Sequence, residues 1–179
     1  MFYNEWDAVI EWIKGDREMR KLGLDYGSKT VGVAVTDGLG WTAQGVEIIR
    51  RKSENKLRKT YARIEELIAE YEVEEIVLGY PVMLSGDEGD RVEMCKIFKQ
   101  GLEKRTGLPV VFFDERLTTV ESYEIMTEAG IPKKDWKEYV DMIAAQLILQ
   151  GYIDHQEEVK KREQARATAV RAEEDAEEL

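Results

Sequence analysis

The chain has 179 residues and a mass of 20.7 kDa, enough for one domain with a full hydrophobic core. Hydrophobic residues make up 43% of it, yet no apolar run could span a bilayer, so we expect a soluble protein without membrane contact. The net charge of −11 argues against a broad, sequence-indifferent grip on nucleic acid, although a basic patch or a bound cation could still recruit phosphate. The acidic, aromatic N-terminus lacks a secretory pattern, and a cytoplasmic location follows by default.

The first part of the chain predicts a short helix and then a β-meander. Residues 1–20 form an amphipathic extension whose apolar side chains recur at helical spacing until Gly15: Phe2, Trp6, Val9, Ile10 and Ile13. Three strands are predicted in residues 21–27, 30–37 and 42–50, because each is an apolar or alternating run bounded by glycine-containing turns. The short connections favour antiparallel pairing.

The rest of the chain alternates helix and strand. Helices are predicted in residues 53–71, after a loop within 83–107, in 118–130 with a capping box at Thr118, and in 135–153; strands are predicted in 74–81 and 108–115. The resulting order βββαβαβαα predicts an α/β fold with a mixed five-stranded sheet and helices on both faces. We assign residues 21–154 to this domain. Residues 155–179 carry few large apolar side chains and predict a charged, solvated helical tail that frays.

One carboxylate interrupts the first strand. Asp25 lies between Leu24 and Tyr26, on the strand face that also carries Gly23 and Gly27. Two glycines beside a carboxylate leave room for a metal ion and a phosphate to approach the backbone. The pattern therefore favours a functional role for Asp25, although a turn-forming role is the ordinary alternative.

Two more carboxylates stand out at the ends of predicted elements. Glu115 follows the fifth strand, beside a helix N-terminus that favours anions. Asp141 interrupts an apolar helix, where a carboxylate is costly unless it is paired or metal-bound. Each alone could be a cap or a surface charge. Together with Asp25 they could hold Mg²⁺ or Mn²⁺, which prefer oxygen ligands and activate water for in-line displacement at a phosphodiester.

Basic residues occur in two stretches that could contact phosphate, or could form ordinary solvated surface. They are Arg50, Arg51, Lys52, Lys56, Arg58 and Lys59 in the first stretch, and Lys133, Lys134 and Lys137 in the second.

The single cysteine, Cys95, has no partner for a disulfide or a zinc site, and we assign it no function.

Four ordered blocks carry a resemblance to a known family: LGLDYGSKTVGVAVTD, IVLGYPVMLSGDEGDRVE, VVFFDERLTTVES and VDMIAAQLILQGYID. Across residues 21–154 the chain resembles the YqgF/RuvX family, Holliday junction resolvase-like proteins of the ribonuclease H-like superfamily that are also described as pre-16S ribosomal RNA nucleases. The resemblance implies a ribonuclease H-like fold, dependence on Mg²⁺ or Mn²⁺, and catalytic, metal-binding acids at Asp25, Glu115 and Asp141.

Within the same resemblance we expect substrate contacts from Lys29, Tyr80, Arg116 and Thr118. Whether Asp114 joins the metal site stays open. The segment before Asp141 is often densely basic in the family, whereas here it reads PKKDWKEYV, which weakens an expectation of tight duplex binding.

The sequence therefore predicts a metal-dependent nuclease that hydrolyses phosphodiester bonds, with 5′-end processing of pre-16S ribosomal RNA as the favoured role. One alternative is a Holliday junction resolvase acting on branched DNA, and another is a non-catalytic RNA- or protein-binding module. The first strand and turn also resemble a phosphate loop of actin-like sugar kinases, but 179 residues leave no space for their second domain. A four-way junction would favour a homodimer, whereas trimming one RNA end needs only a monomer.

Overall fold

The computed structural model describes residues 19–80, 90–114 and 118–177. Its elements in chain order are β1 (Lys21–Tyr26), β2 (Thr30–Thr36), β3 (Ala43–Arg50), α1 (Arg58–Tyr71), β4 (Glu75–Tyr80), α2 (Asp90–Thr106), β5 (Val110–Asp114), α3 (Thr118–Glu128), a 3₁₀ helix (Lys133–Glu138) and α4 (Val140–Glu177). The helix predicted within residues 1–15 lies outside the described residues. Among the helices that are described, none combines the length and hydropathy needed to cross a membrane.

The five strands form one mixed sheet in the order β3-β2-β1-β4-β5. Strand β2 pairs antiparallel with both β1 and β3, whereas β1, β4 and β5 run parallel. The mixed five-stranded sheet predicted from the sequence is confirmed. Because parallel strands end at one edge, the carboxyl ends of β1, β4 and β5 meet there, and this edge carries the candidate site.

Helices cover both faces of the sheet. Leu22 and Leu24 of β1 are fully buried in a core that includes Ile64 of α1 and Phe98 of α2. The opposite face packs on α4, and its core consists of Ala34, Ala43, Val77, Ala145, Ile148, Leu149 and Ile153. Burying each large side chain contributes about 1.5–3 kcal/mol to stability. Because side chains alternate along β1, its leucines lie in the first layer and its small residue Gly23 faces α4.

The helix predicted from residue 135 begins later than expected. Lys133–Glu138 form a 3₁₀ helix after Pro132, and the indole Nε1 of Trp136 donates to the carbonyl oxygen of Ile131 at 2.9 Å. Tyr139 then leaves helical geometry with φ −124°, and α4 starts at Val140. The later start of α4 has a local cause, since the turn that begins at Pro132 forms hydrogen bonds within itself before α4 begins.

Helix α4 continues beyond the sheet without a break to Glu177. No proline or glycine interrupts it after Gly151. Ion pairs at i,i+4 spacing join Glu157 to Lys161 at 3.1 Å and Glu158 to Arg162 at 3.4 Å. Such exposed pairs add about 0.2–0.5 kcal/mol each to a helix, which supports the solvated helix predicted for this segment.

Candidate active site

Asp25 lies in β1 with its side chain on the face of the sheet that α4 covers. Its Cα partner on β2 is Gly32. Gly23 is on the same face of β1, where an added Cβ would lie 2.6 Å from the Cβ of Leu149 in α4. Because alternate residues of a strand share a face, Asp25 lies on the same side of β1 as Gly23, as predicted, whereas Gly27 lies one residue beyond the end of the strand.

Asp141 lies in the first turn of α4, directly over β2. A Cβ placed on Gly32 would be 1.8 Å from the carbonyl oxygen of Asp141, so only a residue without a side chain allows this approach. Gly32 therefore contacts Asp141 on one side and pairs with Asp25 on the other. The structure thus brings two of the three predicted carboxylates to one face of the sheet, although 116 positions separate them in the chain.

A cleft of about 520 Å³ opens at the carboxyl end of β1. Asp141 lines this cleft, and Asp25 is the chain neighbour of Tyr26, another lining residue. The lining residues are Tyr26, Gly27, Ser28, Thr30, Glu54, Arg91, Met94 and Asp141. Residues of the β1–β2 turn and Asp141 therefore line the same space, an arrangement that can receive a phosphate group held by a cation.

Arg51 holds the turn that forms one wall of this cleft. Its guanidinium donates to the carbonyl oxygen of Thr30 at 3.1 Å and to that of Gly27, and it lies 4.7 Å from the centroid of the Tyr26 ring. Tyr26 in turn stacks on Phe98 at 4.3 Å, and burial raises the pKa of its hydroxyl although Arg51 opposes the shift. From the sequence, Arg51 is one of the basic residues that could contact phosphate. In the structure its guanidinium instead binds the β1–β2 turn and fixes its position.

Arg51→Ala is expected to lower the free energy of unfolding by about 2 kcal/mol, because the variant cannot form the charged hydrogen bonds to two carbonyl oxygens or the cation–π interaction. Urea unfolding followed by circular dichroism measures this change. Arg50→Ala is the matched control, since Arg50 is exposed at the neighbouring position and should stay within about 0.5 kcal/mol of the parent protein. Equal midpoints for the two variants would contradict the positioning role.

The other predicted site residues are placed as follows. Lys29 is exposed on the β1–β2 turn, and Tyr80 ends β4 at the same sheet edge, with its ring centroid 4.8 Å from that of Phe112. Thr118 is the first residue of α3, so the predicted helix start is confirmed, but its side chain is not described. Glu115 and Arg116 lie outside the described residues.

Within the described ranges no three acidic, histidine or cysteine side chains form a metal-binding cluster, so the complete triad stays a prediction.

Exposed cations run from the end of β3 to the start of α1, in the segment that also contributes Glu54 to the cleft. We call this set the basic rim, and it consists of Arg50, Lys52, Lys56, Arg58 and Lys59. In the part of the chain that the structure describes, none of them forms an ion pair, and Glu54 from the same segment lines the cleft. The basic rim therefore provides local positive charge in a chain whose net charge is −11.

Two curated proteins similar to this chain carry the same name. A protein of Agathobacter rectalis is 61% identical over 137 residues, which are 76% of this chain and 96% of that protein. A protein of Listeria monocytogenes is 52% identical over 136 residues, covering 76% of this chain and 98% of its own length. Both are named "Putative pre-16S rRNA nuclease".

Two solved structures that align with this chain contain Holliday junctions. Thermus thermophilus RuvC in complex with a Holliday junction substrate is 12% identical, with a TM-score of 0.47 over 78% of this chain and 96% of its own. The Fowlpox virus resolvase in complex with junction DNA is 13% identical, with a TM-score of 0.49 over 77% of this chain and 99% of its own. A family model described as RuvX, Holliday junction resolvase, matches residues 19–155. The chain therefore belongs to the RuvX family, as its four sequence blocks predicted.

Proposed function

We propose that the protein is a metal-dependent nuclease that processes the 5′ end of precursor 16S ribosomal RNA. The observation that carries the proposal is the close packing of the Asp141 backbone on Gly32, the β2 residue that pairs with Asp25. This packing supports a shared site for two carboxylates beside a cleft of about 520 Å³. The name of the relatives that are 61% and 52% identical supports the RNA-processing role.

The side chains at the site fit a divalent cation with oxygen ligands. Asp25 and Asp141 would hold it, and Glu115 is proposed as the third ligand on the grounds of sequence. When bound, Mg²⁺ or Mn²⁺ lowers the pKa of a coordinated water and stabilises the leaving oxygen of an in-line displacement. The chemistry of this donor set therefore supports hydrolysis of a phosphodiester.

The chain's own residues would position the substrate. Lys29 lies between Ser28 and Thr30, which line the cleft, and the basic rim lies in the segment that contributes Glu54 to it. These cations can bind consecutive phosphates, which fixes the register of the strand without reading its sequence. Arg51 holds the turn that carries Lys29, so this cation, four residues after Asp25, has a fixed backbone. Tyr80, at the carboxyl end of β4, and Arg116 and Thr118 are proposed as further substrate contacts.

Resolution of branched DNA is the second candidate, because the matching family model is described as a Holliday junction resolvase. Both substrates present phosphodiesters to the same site, and 2′-hydroxyl contacts or overall shape would separate them. A homodimer would suit a symmetric junction, whereas one RNA end requires a single site.

The test compares a labelled single-stranded RNA that spans the 5′ boundary of the 16S precursor with a four-way DNA junction, each with Mn²⁺ or with EDTA. Cleavage of the RNA that requires the cation would support the proposal. Cleavage of the junction alone would assign the resolvase role instead. Absence of cleavage on both substrates, with binding retained, would favour a binding module and overturn the nuclease assignment.

Removing charge from the basic rim is expected to weaken RNA binding and to make it less dependent on salt. Lys52→Ala with Lys56→Ala should reduce the slope of log affinity against log salt by about 1 for each phosphate that the protein no longer binds. Fluorescence anisotropy at several salt concentrations gives this slope. Lys161→Ala with Arg162→Ala removes the same charge from the exposed part of α4, where both residues are ion-paired, and should leave the slope unchanged. Equal slopes for both pairs would contradict binding at the rim.

A further inference from the structure

The largest apolar exposure near the start of the described chain lies at the end of the sheet away from Asp25. Trp41 is 63% exposed, Leu39 is 59% exposed and Met19 is 47% exposed. We call these three residues the Trp41 patch. Burying an aromatic side chain is strongly favourable, so a largely exposed tryptophan is a good candidate for a contact with another segment.

The loop that carries Leu39 and Trp41 of this patch is held in one shape by hydrogen bonds. The carboxylate of Asp37 accepts from the backbone N–H of Leu39 at 3.1 Å and of Trp41 at 2.9 Å, and from the hydroxyl of Thr42 at 2.8 Å. The side-chain amide of Gln150 in α4 donates to the carbonyl oxygen of Trp41 at 3.2 Å. The patch is therefore presented by a fixed backbone, as a docking surface needs, rather than by a loose loop.

The chain enters the described fold beside this patch. The guanidinium of Arg20 donates to the carbonyl oxygen of Thr36 at 3.1 Å, and the backbone N–H of Lys21 donates to the Thr36 hydroxyl at 3.0 Å. Thr36 immediately precedes Asp37, the residue that organises the loop. Lys21 also lines a small cavity together with Trp41. Residues 1–18 are thus attached within a few residues of the patch.

We propose that residues 1–18 dock on the Trp41 patch through their own apolar positions. In this segment Phe2, Trp6, Val9, Ile10 and Ile13 share one face at helical spacing. Eighteen helical residues would extend about 27 Å, long enough to cover a patch of three side chains beside the attachment point. Because the segment is covalently tethered next to the patch, its effective concentration there is high, and docking requires no collision with a second molecule.

This docking goes beyond the proposed nuclease function. The family model begins at residue 19, and the matched region covers 96% of the Agathobacter rectalis relative, so the segment is additional to the family domain. The patch follows the last residue of β2, whereas Thr30 at its first residue lines the cleft. Six residue steps of about 3.3 Å separate these ends, so the patch and the cleft lie at opposite ends of β2.

The experiment places the photoreactive residue p-benzoylphenylalanine at Trp41 in the full-length protein and maps the cross-links by mass spectrometry. Ile97 of α2, which is 46% exposed, is the matched control site. We expect cross-links from position 41 to residues 1–18, several-fold more than from position 97. Equal yields from the two positions, or an absence of links to residues 1–18, would overturn the proposal. Links between two chains would overturn it too, because they would identify a second copy as the occupant.

Two variants of the segment make the test specific. Trp6→Asp with Ile10→Asp places charges on the apolar face and should abolish the cross-link from position 41. Asn4→Asp with Glu11→Gln changes the opposite helical face and should preserve it. Retention of the cross-link in the first variant would overturn docking through the apolar face. RNA cleavage is expected to be unchanged in both variants, so the outcome is independent of whether the nuclease proposal holds.

Discussion

Asp25→Asn is expected to lower the rate of metal-dependent cleavage by about 1000-fold while the protein stays folded. A catalytic metal contributes several kcal/mol to transition-state stabilisation, and each 1.4 kcal/mol corresponds to a tenfold change in rate. The amide has the same shape as the carboxylate but lacks the charge that holds a cation. Single-turnover cleavage of the 16S precursor RNA in Mn²⁺ measures the change.

Asp135→Asn is the matched control, because Asp135 lies in the 3₁₀ helix before α4 and has no proposed contact with a metal ion. It should cleave within a few-fold of the parent protein. Thermal unfolding of both variants shows whether a slower rate reflects the chemistry of the site or unfolding of the protein. If Asp25→Asn retained its cleavage rate, the carboxylate would not be a ligand, and the proposed site would have to be sought elsewhere.

The position of Asp25 could be predicted because strand alternation is a local rule. Leu22 and Leu24 must face one side of β1 if they are to be buried together, and this leaves Gly23 and Asp25 on the other side. The mixed sheet could be predicted for a similar reason, since short turns favour antiparallel pairs and helical crossovers give parallel ones. In both cases the information lies within a few neighbouring residues.

The roles of Arg51 and Gly32 could not be predicted, because each depends on residues distant in the chain. In the sequence Arg51 is one of several consecutive basic residues, and only the fold brings its guanidinium to the carbonyl oxygens of Gly27 and Thr30. Gly32 reads as an ordinary small residue in an apolar strand until α4 is placed over it. The fold and the identity of the candidate carboxylates were thus accessible from sequence, whereas the contacts that position them required the structure.

Gly32→Ala is expected to lower the free energy of unfolding by about 3 kcal/mol and the cleavage rate by about 100-fold. The new methyl group would meet the backbone of Asp141, with 1.8 Å to its carbonyl oxygen, and overpacking against an unyielding neighbour costs about 1–3 kcal/mol or more. For a chain of this size the melting temperature should fall by about 6–12 °C. Moving the first turn of α4 away from β2 would also displace Asp141 from Asp25, and a shift of about 1 Å can reduce a rate about 100-fold.

Gly38→Ala is the matched control for this substitution, because an added Cβ at Gly38 has nothing within 4 Å. Its melting temperature and cleavage rate should match those of the parent protein. The comparison separates the general effect of replacing glycine by alanine from the specific contact with α4. If Gly32→Ala melted and cleaved like Gly38→Ala, the backbone of Asp141 would not need to lie on β2. The packing that brings Asp141 to Asp25 would then cease to support a shared metal site, and the nuclease proposal would lose the observation on which it rests.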